Sequence, residues 1–247
     1  MRHFDSPGFN RIVSHLDSRR KLYLGVFALG FVGGFPIGGS AIDWLLESDG
    51  YVPEGVEVII LQPLEVILLQ LRIATQIAFG IMITMIVLDI SWVGKKTFPE
   101  AVAELSNGPG WIRVISTMVA ITILATLGMA YSHNVLIPFL LDYLAEDTAK
   151  SGLQSTWQLQ SWVGFIAGLY FSSILGFQVP VVVTVLLRTE LIDRAIIVDN
   201  RGAIWFIALF LGALISPPDP ISLFLVGGPI LVLLEAALMI DKYAVRR

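Results

Sequence analysis

Two long runs of this chain, Leu22–Ile42 and Val114–Leu141, carry no charged residue. A helix that crosses a bilayer needs about 20 apolar residues. Once in hydrocarbon, only helices and closed barrels can satisfy every backbone polar group. Four further stretches have the same character. Leu64–Ile90 is interrupted by Glu65, Arg72 and Asp89, Trp162–Leu187 is uncharged, Gly202–Ser216 is short, and Ile221–Ile240 contains Glu235. The sequence therefore predicts an all-α membrane protein of six transmembrane helices. Composition agrees: 55% of residues are hydrophobic and 15% charged, against about 25% charged in soluble domains.

The other functional classes narrow quickly. Sixteen Lys and Arg against 20 Asp and Glu give a net charge of −4, which does not fit a generally basic nucleic-acid binder. With no cysteine, thiolate metal sites, iron–sulfur clusters and cysteine nucleophiles are excluded. Three scattered histidines, His3, His15 and His133, offer no obvious metal set, so no cofactor is expected. The first apolar stretch follows 21 residues with charges of both signs and lacks a clean cleavage site, unlike a removable signal peptide.

Lys/Arg asymmetry sets the expected orientation. Fourteen of the 16 basic residues fall in the N-terminal segment, the loops after helices two and four, and the tail. Only Lys150 lies in an outer loop, and Arg72 lies within helix two. Both termini are thus expected in the cytoplasm. The chain is expected to form one membrane domain over residues 1–247, with a cytoplasmic segment at 1–21, the bundle at 22–240 and a cytoplasmic tail at 241–247.

Helices five and six are separated by Ser216-Pro217-Pro218-Asp219-Pro220, a run that predicts a tight turn. Helix five, with about 15 residues at 1.5 Å each, reaches about 22 Å against a hydrocarbon core of about 30 Å. Both helices are expected to be short. Either the bilayer thins around them or flanking residues supply the missing length.

Several polar residues stand out. Gly164, Gly168, Ser172 and Gly176 are spaced four apart on helix four, and Gly30, Gly34 and Gly38 on helix one. Such ladders let a neighbouring helix approach closely. Gln178 lies about 200° around from Gly176, so it is expected to meet another helix of this chain or a visiting one, with Pro180 favouring a kink beside it. Glu65 and Arg72 share a face about 10 Å apart, too far for a direct bond. Arg72 must snorkel, find another partner or face a wet cavity. Asp89 and Glu235 lie near inner helix ends, within reach of headgroup water. Asp17 is a candidate cap, and the neighbouring Arg19, Arg20 and Lys21 form a topology signal and an anionic-lipid anchor. Glu100 and Glu104, four apart on an expected short helix, present one acidic face, either merely solvated or suited to an arginine-bearing peptide.

The order of these features resembles the TatC family, the multi-spanning receptor subunit of the twin-arginine protein translocase. The resemblance runs from about His15 to Glu235. It is carried by His15-Leu16 with Arg20, Pro63-Leu64-Glu65 with Arg72, Gly128-Met129-Ala130-Tyr131 with Pro138, and Gly176-Phe177-Gln178-Val179-Pro180. The last third adds Ser216-Pro217-Pro218-Asp219-Pro220-Ile221-Ser222, Pro229 and Leu233-Leu234-Glu235. There are departures. The family usually has glutamate where Gln178 stands, and again where Ser18 stands in the N-terminal motif. Leu223 replaces a common glutamine. Phe98-Pro99-Glu100 and Glu104 are the nearest counterparts of the family's first-loop pattern.

The resemblance implies a receptor for signal peptides with paired arginines, a protein transporter rather than an enzyme. It would act in a cell membrane with small single-span TatA- or TatB-like subunits and further copies of itself, exporting folded proteins on the proton-motive force. Asp17, Ser18, Arg20, Glu100 and Glu104 would bind the signal peptide. Glu65, Arg72, Gln178 and Glu235 would be intramembrane polar or partner contacts, and Pro217, Pro218 and Asp219 the structural turn. The alternative is a secondary transporter or channel for small solutes, with Glu65, Arg72 and Asp89 lining its path. Against it, the sequence shows no internal repeat.

Overall fold

The computed structural model describes residues 7–48, 50–53, 56–97, 110–150, 155–188, 194–215 and 220–245. All six expected apolar stretches are helical there. An amphipathic helix α1 (Pro7–Ser18) leads through Arg19 into α2 (Arg20–Glu47), followed by α3 (Glu65–Thr97). Next come α4 (Gly110–Tyr131), one π turn (Ser132–Leu136) and α5 (Ile137–Lys150), which together form one long element. The π turn sits just ahead of Pro138, which has no N–H to offer the carbonyl four residues back. Local widening of the ladder accommodates such a residue. The apolar stretch at 162–187 divides into α6 (Leu159–Gly176) and α7 (Val179–Arg188), with Phe177 and Gln178 between them. The break falls just before Pro180, as its backbone chemistry predicts. A short α8 (Arg194–Asp199) precedes α9 (Arg201–Ile215) and α10 (Pro220–Val245).

Among the described residues, four spans are long and apolar enough to cross a membrane: Arg20–Glu47, Glu65–Trp92, Val114–Thr148 and Leu159–Leu187. Of the last two helices, α9 is short at 15 residues, as expected, whereas α10 runs 26 residues. Large apolar side chains such as Leu24, Leu29, Val32, Phe206 and Val232 are exposed on the bundle surface, as a lipid-facing surface requires.

Two strands absent from the sequence expectation cap one end of the bundle. β1 (Val56–Ile59) pairs in parallel with β2 (Ser155–Gln158), in the register Val56 to Ser155 through Ile59 to Gln158. They join the segment before α3 to the segment before α6. Beneath them lies the larger core, built around Leu69, Leu140, Trp162, Val163, Ile166 and Leu169. A second core of Val183, Ile197, Leu234, Ala237 and Leu238 ties α7 and α8 to α10.

The two small-residue ladders behave differently. Gly30, Gly34 and Gly38 all face α3: a Cβ on any of them would lie 3.1–3.2 Å from the backbone of Ala78, Ala74 or Gln70. The ladder on α6 serves no single neighbour. A Cβ on Gly164 would lie 2.5 Å from Nη1 of Arg72, and one on Gly176 would lie 2.7 Å from Ile230 of α10. Helix α4 approaches α6 closely at Gly128, where a Cβ would lie 2.8 Å from the Ser173 carbonyl oxygen.

Candidate functional site

The basic end of the bundle holds a compact charged corner. Arg19 is the one non-helical residue between α1 and α2, so α1 folds back toward the far end of α3. There Asp89, only 6% exposed, gathers three donors from the N-terminal segment. Arg19 Nη1 donates to Oδ1 at 2.6 Å. Tyr23 donates its hydroxyl to Oδ2 at 2.7 Å. His15 Nε2 lies 2.8 Å from the same Oδ2, and because an ionised carboxylate only accepts, that nitrogen carries the hydrogen. Contrary to the expectation from its place near a helix end, Asp89 is withdrawn from solvent. The intervening side chains fold over it and close the corner.

The other residues of this corner are exposed. Asp17 caps no helix: it lies in the last turn of α1 and meets Arg20 Nη1 at 3.4 Å, with both side chains 69% exposed. Ser18 donates its hydroxyl to the His15 carbonyl at 2.7 Å, closing α1. Asp17, Ser18 and Arg20 thus flank Arg19, whose side chain reaches Asp89, a residue the expected binding set lacked. An isolated carboxylate at a helix end reads as solvated. Only the tyrosine and histidine near the start of the chain, opposite it in space, mark it as buried. Glu100 and Glu104, and likewise Pro217, Pro218 and Asp219, lie outside the described residues.

At the opposite end of α3, Glu65 is fully buried and does not bond Arg72. Its Oε1 accepts from the backbone N–H groups of Leu61 at 3.0 Å and Gln62 at 2.9 Å. By holding these two N–H groups, the side chain of the first α3 residue caps the turn that leads into the helix. Gln158 Nε2, from the end of β2, also donates to Oε1 at 2.8 Å, so Glu65 fastens the start of α3 to the strand pair.

Nearby, the Tyr51 and Tyr170 hydroxyls lie 2.7 Å apart, with His133 Nδ1 at 2.7 and 3.0 Å from them. Trp162 Nε1 donates to the Tyr51 carbonyl at 3.0 Å. This aromatic cluster joins the loop after α2 to the π turn and α6. The sequence offered no signal for it beyond the residue types.

Between these ends, the Arg72 guanidinium lies over Gly164 of α6. The side chain is exposed on the bundle surface. Gln178 meets a helix of this chain, one of its two expected alternatives. It is 8% exposed, and its Nε2 donates to the carbonyls of Ile121 on α4 at 3.3 Å and Ile174 at 3.4 Å. Its Oε1 is buried without a hydrogen-bond partner among the described residues. Glu235 also turns inward: Arg201, at the start of α9, donates to both its oxygens, with Nε to Oε1 at 3.0 Å. This ion pair holds α9 against α10, and Arg194 Nη2 adds a bond to the Leu238 carbonyl at 3.1 Å. Among the described residues, no group of three or more His, Asp or Glu side chains is placed to hold a metal ion.

A family model described as "Sec-independent protein translocase protein (TatC)" matches residues 12–229. The TatCt protein of Haloferax volcanii is 29% identical over 201 residues, covering 81% of this chain and 27% of that protein. TatCy of Bacillus subtilis is 27% identical over 136 residues, 55% of this chain and 54% of the relative. The chain therefore spans about a quarter of the first relative's length and about half of the second's. A crystal structure of the twin-arginine translocase receptor TatC in DDM superposes with a TM-score of 0.69 at 21% identity, covering 93% of this chain and 98% of that one, a likeness of fold. With the family model matching most of the chain, and with the six-helix architecture that the solved relative shares, this chain belongs to the TatC family.

Proposed function

We propose that the chain is the receptor subunit of a twin-arginine translocase. It binds N-terminal signal peptides with paired arginines at its basic end. With small single-span TatA- or TatB-like subunits, and as one of several copies in the complex, it exports folded proteins across a cell membrane on the proton-motive force. The observation that carries this reading is the family match across residues 12–229. Two features of the bundle support it. Its cytoplasmic corner holds two carboxylates beside the first span, Asp17 exposed and Asp89 beneath Arg19, a chemistry suited to guanidinium groups. Helix α9 has 15 residues, about 22 Å at 1.5 Å each, a length that favours local thinning of the bilayer.

The small-solute alternative finds less support. Glu65 and Asp89 stand about 36 Å apart along α3, each enclosed in its own hydrogen-bond set, and line no common path. Photocrosslinking in membranes from Ser18, Glu100 and Glu104 tests the receptor reading, using a signal peptide and its Lys-Lys counterpart. Crosslinks specific to the Arg-Arg peptide are expected. Equal crosslinking of the two peptides, or none, would overturn it.

A further inference from the structure

The two oxygens of Asp89 are held in different ways. Oδ2 is shared by Tyr23 and His15, with Tyr23 itself only 5% exposed. Oδ1 is bonded by Arg19 through one nitrogen, and the Arg19 side chain is 43% exposed. Tyr23 lies within α2, whereas Arg19 is the hinge residue between two helices, at φ −108° and ψ 8°, with no side-chain capping bond. A carboxylate and a guanidinium pair best through two parallel bonds, and this contact uses one. Oδ1 is therefore the exchangeable half of a carboxylate whose other half is fixed.

We propose that Asp89 Oδ1 is an arginine-accepting site for the incoming signal peptide, and that in the resting chain its occupant is the chain's own Arg19. The inference rests on the receptor reading above. Arg19 and Arg20 are themselves paired arginines directly followed by an apolar helix, the same chemistry that reading assigns to the ligand. Arg19 covers Asp89, and Arg20 lies on Asp17. A signal peptide must displace this tethered pair, and its apparent affinity falls accordingly. Once Arg19 swings into solvent, Tyr23 and His15 still orient the carboxylate. The freed oxygen then takes a guanidinium, which has the planar fork that a lysine ammonium lacks.

The test measures the affinity of the full-length protein in lipid nanodiscs for a fluorescent peptide carrying Arg-Arg before an apolar run. The Lys-Lys peptide serves as reference. Arg19→Gln is expected to tighten Arg-Arg binding by about three- to tenfold, with Lys-Lys binding unchanged. Adding Asp89→Asn, which keeps the side-chain shape, is expected to abolish the gain. Arg19→Lys leaves a weaker occupant and gives a smaller gain. A thermal melt of each variant establishes that it is folded.

Unchanged or weaker binding by folded Arg19→Gln would overturn the proposal. So would a gain that survives Asp89→Asn, because the acceptor would then lie elsewhere, as at Glu100 or Glu104. If the wild type and every variant fail to distinguish Arg-Arg from Lys-Lys, the receptor reading itself is overturned, and this inference with it.

Discussion

Helix α3 carries a buried carboxylate at each end, and the two are held by opposite means. Glu65 is held by neutral donors, two backbone N–H groups and one amide. Asp89 is held by a guanidinium, an imidazole and a phenol. The Glu65 donors belong to backbone at the helix start and to the adjoining strand pair. Breaking them undoes the cap at the helix start and takes the shared acceptor from three donors at once. The main charged donor at Asp89 is a long, half-exposed side chain that water can solvate once it lets go. One end of the helix is built to stay closed, and the other can open without unfolding anything.

Removing the Glu65 carboxylate tests the closed end and should give the largest effect. Glu65→Ala strands three donors and is expected to lower the thermal midpoint in detergent by about 5–10 °C. Glu65→Gln keeps an acceptor oxygen and should lose about half as much. If Glu65→Ala melts within about 2 °C of the wild type, the cap is dispensable and the contrast between the two ends collapses.

At the open end the effect should be smaller and different in kind. Asp89→Ala is expected to lower the midpoint by about 2–4 °C while freeing α1 from α3. Limited trypsinolysis at Arg19, Arg20 and Lys21 reports that release directly, with an expected increase of about threefold or more. Raising salt from low to about 0.5 M should produce part of the same exposure in the wild type, because the Arg19–Asp89 contact is partly exposed to screening ions. The Glu65 end, made of neutral donors, should show no salt response. Protection that is equal at low and high salt would show that Arg19 is as fixed as Gln158.

Much of this was legible before any coordinates. Runs without charge locate the spans, because hydrocarbon tolerates few ionised groups and a helix must be long enough to cross. Pro180 marks the break between α6 and α7, because its missing N–H and its ring disfavour continuing the ladder of the preceding turn. Residues whose roles depend on distant partners were not legible. Glu65 was set only against Arg72, too distant for a direct bond, since spacing along one helix was the only geometry available. Its true partners include Gln158, 93 positions away. Asp89 lies 70 residues from Arg19 and 74 from His15, and no periodicity joins them. The four-residue strands β1 and β2 are too short to show an alternation that stands out.

The smallest effect is expected midway along α3, at Arg72. Its guanidinium rests on Gly164, where a new Cβ would lie 2.5 Å from Nη1, so Gly164→Ala must move one or the other. Backbone cannot yield there cheaply, but the end of an exposed arginine can. The thermal midpoint of Gly164→Ala should therefore stay within about 2 °C of the wild type. The displaced guanidinium should still be detectable: modification of Arg72 by an arginine-selective dicarbonyl, followed by mass spectrometry, should change about twofold or more in rate. A fall in midpoint comparable to that of Glu65→Ala would mean that Arg72 cannot move. It would then belong with the fixed end of the helix, and freedom to exchange on α3 would be confined to the corner around Asp89.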